Sequence, residues 1–162
     1  MRKLLLFLLF TILVSVPVVA QDTGTIVEVA ADNPDFSTLV TAAQTAGLVD
    51  ALSGEGPFTV FAPDNAAFEA ALAELGMTTD ELLADTEMLT RILTYHVVPQ
   101  RLPAAELVAL DSVSTVEDST ISVSVTDAGV RLNDSALVAK PDIIASNGVI
   151  HAIDAVLLPP DA

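Results

Sequence analysis

The spacing of the apolar residues changes partway along the chain, and this change limits the folds open to it. In the first half, apolar residues recur every three to four positions, as over residues 36–43 and 68–75, which is the spacing of helices buried on one face. From residue 113 the apolar runs are short and β-branched, and apolar and polar residues alternate over residues 121–126, as expected for half-exposed antiparallel strands. Helices followed by a set of strands predict an α+β fold rather than a doubly wound sheet.

Capping and turn residues mark the ends of the expected elements. Asn33 followed by Pro34 predicts a helix start, and Gly47 predicts a left-handed helix end. Pro63 should end a β-type run over residues 58–62, and Asp64 or Asn65 should cap the helix that follows. Further elements are helices beginning at Thr79 and over residues 87–94, strands over 113–116, 121–125, 130–132 and 136–138, and a hairpin turn at 127–129. The apolar stretch 149–158 is expected to supply one or two central strands.

The first twenty residues have the pattern of an export signal. Arg2 and Lys3 precede an apolar run over residues 4–14, and after Pro17 small residues occupy the two positions that signal peptidase reads. A retained membrane anchor is the alternative, but it needs about 20 apolar residues to cross a ~30 Å hydrocarbon layer. We therefore expect a signal peptide over 1–20, cleaved after Ala20, and one domain over 21–160. The mature protein would be secreted, or would lie in the periplasm or at the cell surface of a bacterium, with no membrane span.

Charge and cysteine content exclude several classes of function. The 162 residues include 22 Asp and Glu against 6 Lys and Arg, a net charge of −16, and loss of Arg2 and Lys3 with the signal would make it −18. Such a surface repels polyanions, so nucleic acid is excluded as a partner. The absence of cysteine excludes disulfides, thiolate metal sites and thiol nucleophiles. Repulsion among the carboxylates also predicts that salt stabilises the protein.

Three segments, in order, resemble the fasciclin domain, a periostin-type repeat. Residues 58–68 (FTVFAPDNAAF) resemble its first signature segment, and residues 93–99 (LTYHVVP) resemble its central Tyr-His segment. Residues 147–159 (NGVIHAIDAVLLP) resemble its second signature segment. The resemblance spans about residues 25–159. It implies N-terminal helices packed on an antiparallel β-sheet wedge or sandwich, in a secreted single-domain protein.

The polar residues of these segments have two interpretations. His96 and His151, the only histidines, could hold a metal or form a relay with Asp154. Alternatively, each imidazole bonds a backbone carbonyl or a neighbouring side chain, and Asp154 accepts from backbone N–H groups at a turn. The resemblance implies neither a metal nor a catalytic role, and the sequence contains no nucleophile elbow, zinc helix, phosphate loop or calcium loop. We therefore expect a non-enzymatic protein without metal or cofactor.

Four residues are candidate adhesion contacts because of the resemblance. In animal fasciclin proteins, adhesion is attributed to an Asp-Ile pair before the second signature segment and to the Tyr-His segment. Asp142 and Ile143 stand in the first place, and Tyr95 and His96 in the second. The structural alternative places Ile143 in the core and makes Asp142 the cap of a turn after Pro141. Asn133 begins a glycosylation sequon, whose use depends on the host.

Two hypotheses for function follow. The first is a cell-adhesion or extracellular-matrix module that binds a protein or polysaccharide at a cell surface or in a biofilm. The second is an extracellular carrier of an apolar small molecule such as a carotenoid, which some secreted relatives bind. Its groove would be lined by apolar helix residues that alternatively pack on the sheet: Leu39, Val40, Leu72, Leu75, Leu82 and Leu83.

Overall fold

The computed structural model describes residues 24–159. The expected signal peptide and its cleavage site therefore lie outside the described residues. Over the described range, none of the helices has the length and apolar character needed to cross a membrane.

Seven α-helices, one short 3-10 helix and seven strands make up residues 24–159. The helices are α1 (Ile26–Ala31), the 3-10 helix (Pro34–Phe36), α2 (Ser37–Thr45), α3 (Val49–Leu52), α4 (Asn65–Leu75), α5 (Thr79–Ala84), α6 (Thr86–Tyr95) and α7 (Ala104–Leu107). The strands are β1 (Phe58–Pro63), β2 (Val97–Val98), β3 (Ser112–Ser114), β4 (Thr120–Thr126), β5 (Gly129–Leu132), β6 (Ala136–Ala145) and β7 (Gly148–Ile153). The α+β class is confirmed. Four elements were not predicted: α1, α3, α7 and β2.

The helix ends follow from capping residues. Asp64 begins α4, because its Oδ1 accepts a hydrogen bond from the Ala67 N–H at 2.7 Å. Asn33 begins the 3-10 helix in the same way, and Gly47, at φ 71°, follows α2 in the left-handed conformation. At the start of α1, Thr25 and Glu28 form a reciprocal capping box.

The strands form one sheet in the order β2-β1-β7-β6-β5-β4-β3. Neighbouring strands are antiparallel except β1 and β7, which run parallel with Phe58 opposite Gly148. The expected antiparallel sheet is therefore mixed at this pair. The chain passes through all the elements from α4 to β6 after β1, and β7 then runs in the same direction as β1. The Val116 N–H donates to the Val97 carbonyl at 2.9 Å. This bond links β2, at one edge of the sheet, to the segment just after β3, at the other edge, so the sheet closes towards a barrel-like wedge.

Two apolar cores lie on opposite faces of the central strands. Val60 and Ile150 face the first core, which packs the N-terminal helices on the sheet. Phe61 and Ile153 face the second core, which the curled sheet encloses together with α7. Every residue of β7 is buried, as expected for a strand that is covered on both faces.

Candidate functional site

β6 departs from regular pairing over its central residues. Its ladder with β7 contains two register shifts, one between Val138 and Lys140 and one between Lys140 and Ile143. On its other side β6 pairs with β5 only at Ala136 and Leu137. The rest of β6 is therefore a sheet edge, and a lysine, a proline and the irregular register are typical of edges that avoid unwanted strand pairing.

The exposed residues of this stretch form what we call the bulge surface: Ala139, Lys140, Pro141, Asp142 and Ile144. Ile144 is 44% exposed, whereas Ile143 is partly buried against the helix–sheet core. Of the two isoleucines that follow Asp142, Ile144 is therefore the more exposed. Sequence reasoning missed it because the register shifts change which residues of β6 face outward.

Asp142 is exposed but held from two sides. Its backbone is in the left-handed region at φ 57°. Its Oδ1 accepts a hydrogen bond from the N–H of Ala104, the first residue of α7, at 2.8 Å. Its own N–H donates to Nδ1 of His151 at 3.2 Å. The carboxylate is thus fixed in position at the surface and also serves the start of α7.

His151 lies beneath the bulge surface and is fully buried. Its Nε2–H donates to the Leu102 carbonyl at 2.7 Å, while Nδ1 accepts from Asp142. The ring stacks on Phe61, with the ring centroids 5.8 Å apart. Burial lowers the pKa of His151, against the opposing effects of the Leu102 carbonyl and the negative charge of Asp142. The partners therefore select the neutral Nε2–H tautomer.

His96 is bonded to the backbone in the opposite tautomer. Its Nδ1–H donates to the Ile92 carbonyl at 2.6 Å, and its Nε2 accepts from the Leu157 N–H at 2.8 Å. Burial lowers the pKa of His96 to about 4, with the hydrogen bond to Ile92 opposing the shift. The interpretation that each imidazole bonds a backbone carbonyl is confirmed for His96 and His151. Asp154 also behaves as expected, since its Oδ1 accepts from the Leu137 N–H at 2.8 Å.

The structure does not bring these polar residues together as a metal or relay site. Both ring nitrogens of His96 and of His151 are bonded to backbone groups of separate segments. Among residues 24–159, no three histidine, cysteine, aspartate or glutamate side chains are grouped so that they could hold a metal ion. A relay through Asp154 has no geometric basis, because that carboxylate bonds to β6 instead.

Tyr95 and His96 lie in the interior, unlike Asp142. Tyr95 is 2% exposed; its hydroxyl donates to the Thr120 carbonyl at 3.3 Å and accepts from Nδ2 of Asn133 at 2.8 Å. Asn133 Oδ1 in turn accepts from the Ser122 N–H at 3.0 Å. A partner contact by the Tyr95 or His96 side chain stays a prediction, and in this conformation neither offers surface to a partner. The sequon amide that a glycan would modify is already hydrogen-bonded.

Two spaces bear on the carrier hypothesis. A cavity of about 30 Å³ lies between α1, α2 and the sheet, and Leu39 and Val40 are among its lining residues. A groove of about 350 Å³ runs between α4, the turn after β5 and the C-terminal segment. The groove is walled by Ala67, Ala70, Ala71, Glu74, Asn133, Ser135, Ala155, Val156 and Leu158. Leu72 and Leu82 are buried in the helix–sheet core and line neither space.

Comparison with known proteins identifies relatives along most of the described range. A family model described as Fasciclin domain matches residues 34–159. Protein sll1483 of Synechocystis sp. is 51% identical over 137 residues, covering 84% of this chain and 74% of that protein. Transforming growth factor-beta-induced protein ig-h3 of Sus scrofa is 40% identical over 137 residues, covering 85% of this chain but 20% of that protein. A solved FAS1 domain pair from the insect cell adhesion molecule fasciclin I superposes with a TM-score of 0.70 at 22% identity, covering 85% of this chain and 52% of that one.

Proposed function

Because the chain belongs to the fasciclin domain family, we propose that it is an extracellular, non-enzymatic adhesion module. It binds a protein or polysaccharide of a cell surface, an extracellular matrix or a biofilm. The observation that carries the proposal is the position of Asp142. Asp142 is exposed, its carboxylate accepts from the Ala104 N–H, and its own N–H donates to His151, at the place where the fasciclin resemblance implies an adhesive Asp-Ile pair.

The bulge surface has the properties of a small contact site. One oxygen of Asp142 is bonded to Ala104, and among residues 24–159 the other oxygen, Oδ2, has no hydrogen-bond partner, so it is free for a partner's cation or donor group. Ile144, two residues further along β6, adds an exposed apolar side chain to the same surface. A charge held in place loses little conformational freedom when it binds, and an apolar neighbour shields the contact from water.

The relatives support a role outside the cell. The solved domain pair of the same fold comes from a protein described as a cell adhesion molecule. The chain spans only a fifth of ig-h3, so the proposal depends on the domain and its surface rather than on that whole protein. The non-enzymatic role is supported by the family match and by the two imidazoles, whose nitrogens are all engaged with the backbone.

Deletion of the gene tests the proposed function in the producing organism. We expect the deletion strain to attach poorly to surfaces and to aggregate less, and re-expression of the full chain should restore both. Beads coated with purified protein should attach to lawns of the same cells, while beads coated with serum albumin should not. Unchanged attachment and aggregation of the deletion strain would overturn the proposal.

Of the two spaces, the apolar cavity beside Leu39 and Val40 is the one that residues named for the carrier hypothesis line. Its volume of about 30 Å³ is roughly tenfold below the ~300 Å³ of small ligand pockets, so α1 and α2 would have to move apart to admit a carotenoid. Protein purified from its host should show visible absorption if it carries such a pigment. A colourless protein that takes up no added carotenoid would dismiss the hypothesis.

A further inference from the structure

Hydrogen bonds connect the bulge surface to two other segments through one buried ring. His151, on β7, donates from Nε2 to Leu102 in the loop before α7 and accepts at Nδ1 from Asp142 on β6. The Asp142 carboxylate also contacts this part of the chain, because its Oδ1 accepts from the N–H of Ala104 at the start of α7. The position of the Asp142 backbone therefore depends on an acceptor at Nδ1 of His151.

Protonation of the ring would remove that acceptor. Nε2 already carries a hydrogen that points at the Leu102 carbonyl, so an added proton can bind only at Nδ1. The imidazolium N–H and the Asp142 N–H would then point at each other, and two donors cannot share a hydrogen bond. Since His151 is fully buried, the new donor could find another acceptor only if the bulge moved.

The surroundings of His151 determine when this happens. The charged group that faces the His151 ring is Asp142, on β6. The other neighbours are uncharged: the Phe61 ring on β1 and the Leu102 carbonyl in the loop before α7. Because burial lowers the pKa of His151 below its ordinary value of 6.5, the unfolded chain binds this proton more readily than the folded one. The stabilisation from the neutral ring is complete above pH 6.5 and is lost as pH falls through the folded-state pKa.

We propose that His151 is the positioning residue of the bulge surface and that its protonation in acid releases Asp142. The surface is thereby held ready at neutral pH and loosened as the surroundings acidify. This consequence for attachment rests on the proposed function, whereas the coupling between His151 and Asp142 does not. His96 serves as an internal control, because its Nε2 accepts from the N–H of Leu157, which is not part of the bulge surface. Its protonation should therefore not affect Asp142.

Nuclear magnetic resonance of the 15N-labelled protein tests the coupling directly. At neutral pH the imidazole nitrogens should show opposite tautomers, with the hydrogen on Nε2 of His151 and on Nδ1 of His96. On titration from about pH 7.5 to about pH 4, the Asp142 and Ala104 amide signals should shift with the midpoint of His151. The Leu157 amide should follow His96 instead. An Asp142 amide that does not respond while His151 titrates would overturn the proposal.

Two variants test whether the pH response of the Asp142 amide comes from His151 rather than from another acidic group. In His151→Asn the side-chain oxygen is expected to replace Nδ1 as acceptor and cannot be protonated, so the His151 midpoint should vanish from the Asp142 signal. If it persists unchanged, another group moves Asp142 and the proposal fails. Asp142→Asn keeps the N–H donor but removes the charge that raises the pKa of His151, so the His151 midpoint should fall; an unmoved midpoint would also contradict the contact.

Attachment then separates the switch from the proposed function. Beads coated with wild-type protein should bind lawns of the producing cells at least about fivefold less at about one pH unit below the measured His151 midpoint than at about pH 7.5, while beads carrying His151→Asn should lose much less. Beads that fail to bind at both pH values would refute the proposed function while leaving the measured coupling intact. Equal binding by wild type at both pH values would refute regulation by His151.

Discussion

β6 and β7 are neighbouring antiparallel strands joined by a two-residue turn, yet they differ in almost every other respect. All six residues of β7 are buried between β1 and β6. β6 loses its second partner after Leu137, and most of its remaining residues are exposed. The difference shows that the number of neighbouring strands, rather than sequence position, decides which segment is buried and which is exposed.

The turn that joins these strands is itself fixed to the helices. Nδ2 of Asn147 donates to the carbonyls of Leu52 at 2.6 Å and Gly54 at 2.9 Å, and its Oδ1 accepts from the Ile26 N–H at 2.9 Å. The irregular part of β6 is thus anchored at its C-terminal end. Its exposed residues are displayed from a rigid support, which suits a contact surface.

The largest effect should come from the start of β7. A Cβ on Gly148 would lie 1.9 Å from the Phe58 carbonyl oxygen and 2.8 Å from Cδ1 of Ile26, so Gly148→Ala must force β1 and β7 apart. We expect a loss of about 4 kcal/mol or more in the free energy of unfolding, measured by urea denaturation. Gly47→Ala is the control: among residues 24–159, no atom beyond its two chain neighbours lies within 4 Å of an added Cβ, and its φ of 71° should cost only about 1 kcal/mol. Similar losses for both variants would contradict the close packing of β1 and β7.

Two isoleucines compare the strands directly. Ile150 on β7 is fully buried, whereas Ile144 on β6 is 44% exposed. Ile150→Ala should lower the free energy of unfolding by about 3 kcal/mol because it leaves a cavity, and Ile144→Ala should change it by less than about 1 kcal/mol. The same denaturation measurement applies to both. If Ile144→Ala is as destabilising as Ile150→Ala, β6 is part of the core and the contrast fails.

Acid should weaken the fold through His96. The pKa of His96 falls from 6.5 to about 4 on folding. The stabilisation that comes from its neutral ring is therefore complete above pH 6.5 and is lost as the pH drops towards 4. The decline attributable to His96 is about 3 kcal/mol. Chemical denaturation across this range should therefore show a steeper fall for wild type than for His96→Gln, in which the carboxylates still titrate. Parallel curves would show that His96 is not held neutral by burial.

Salt should have the smallest effect, because it acts on exposed charge and leaves the buried strands unaffected. The chain carries 22 acidic residues, and Arg91–Glu117, at 3.8 Å, is the one ion pair among residues 24–159. Screening from about 10 mM to about 1 M NaCl should raise Tm by about 4 °C. A Tm that does not change over this range would contradict self-repulsion.

Local signals predicted most of the elements but not their pairing. Asn33, Gly47 and Asp64 marked helix ends where the structure has them. Helix α1 was missed because its β-branched residues weaken a helix prediction, although the Thr25–Glu28 capping box was present to indicate it. The parallel pairing of β1 with β7 joins residues about 90 positions apart, and no local pattern encodes such a contact.

The resemblance named Asp142 and Ile143 as candidate contacts, and their contact with a partner stays a prediction. The sequence left open whether Ile143 belongs to the core, because two register shifts in β6 decide that Ile143 is buried in part and Ile144 is exposed. His151 accepts from Asp142 because of the same irregular register. The alternation of apolar and polar residues in the sequence does not reveal where a strand bulges, so this contact could not be predicted.

The most direct test of the contrast between the two strands is bead attachment by a matched pair of variants. Asp142 and Asp118 are both exposed aspartates in the left-handed region, at φ 57° and 61°, a conformation that asparagine tolerates well. Asp142→Asn beads should lose at least about 80% of attachment to producing cells, as expected when a central charged contact is removed. Asp118→Asn beads should bind like wild type, and both variants should keep the wild-type Tm. Equal attachment by the two variants would contradict a contact at the bulge surface.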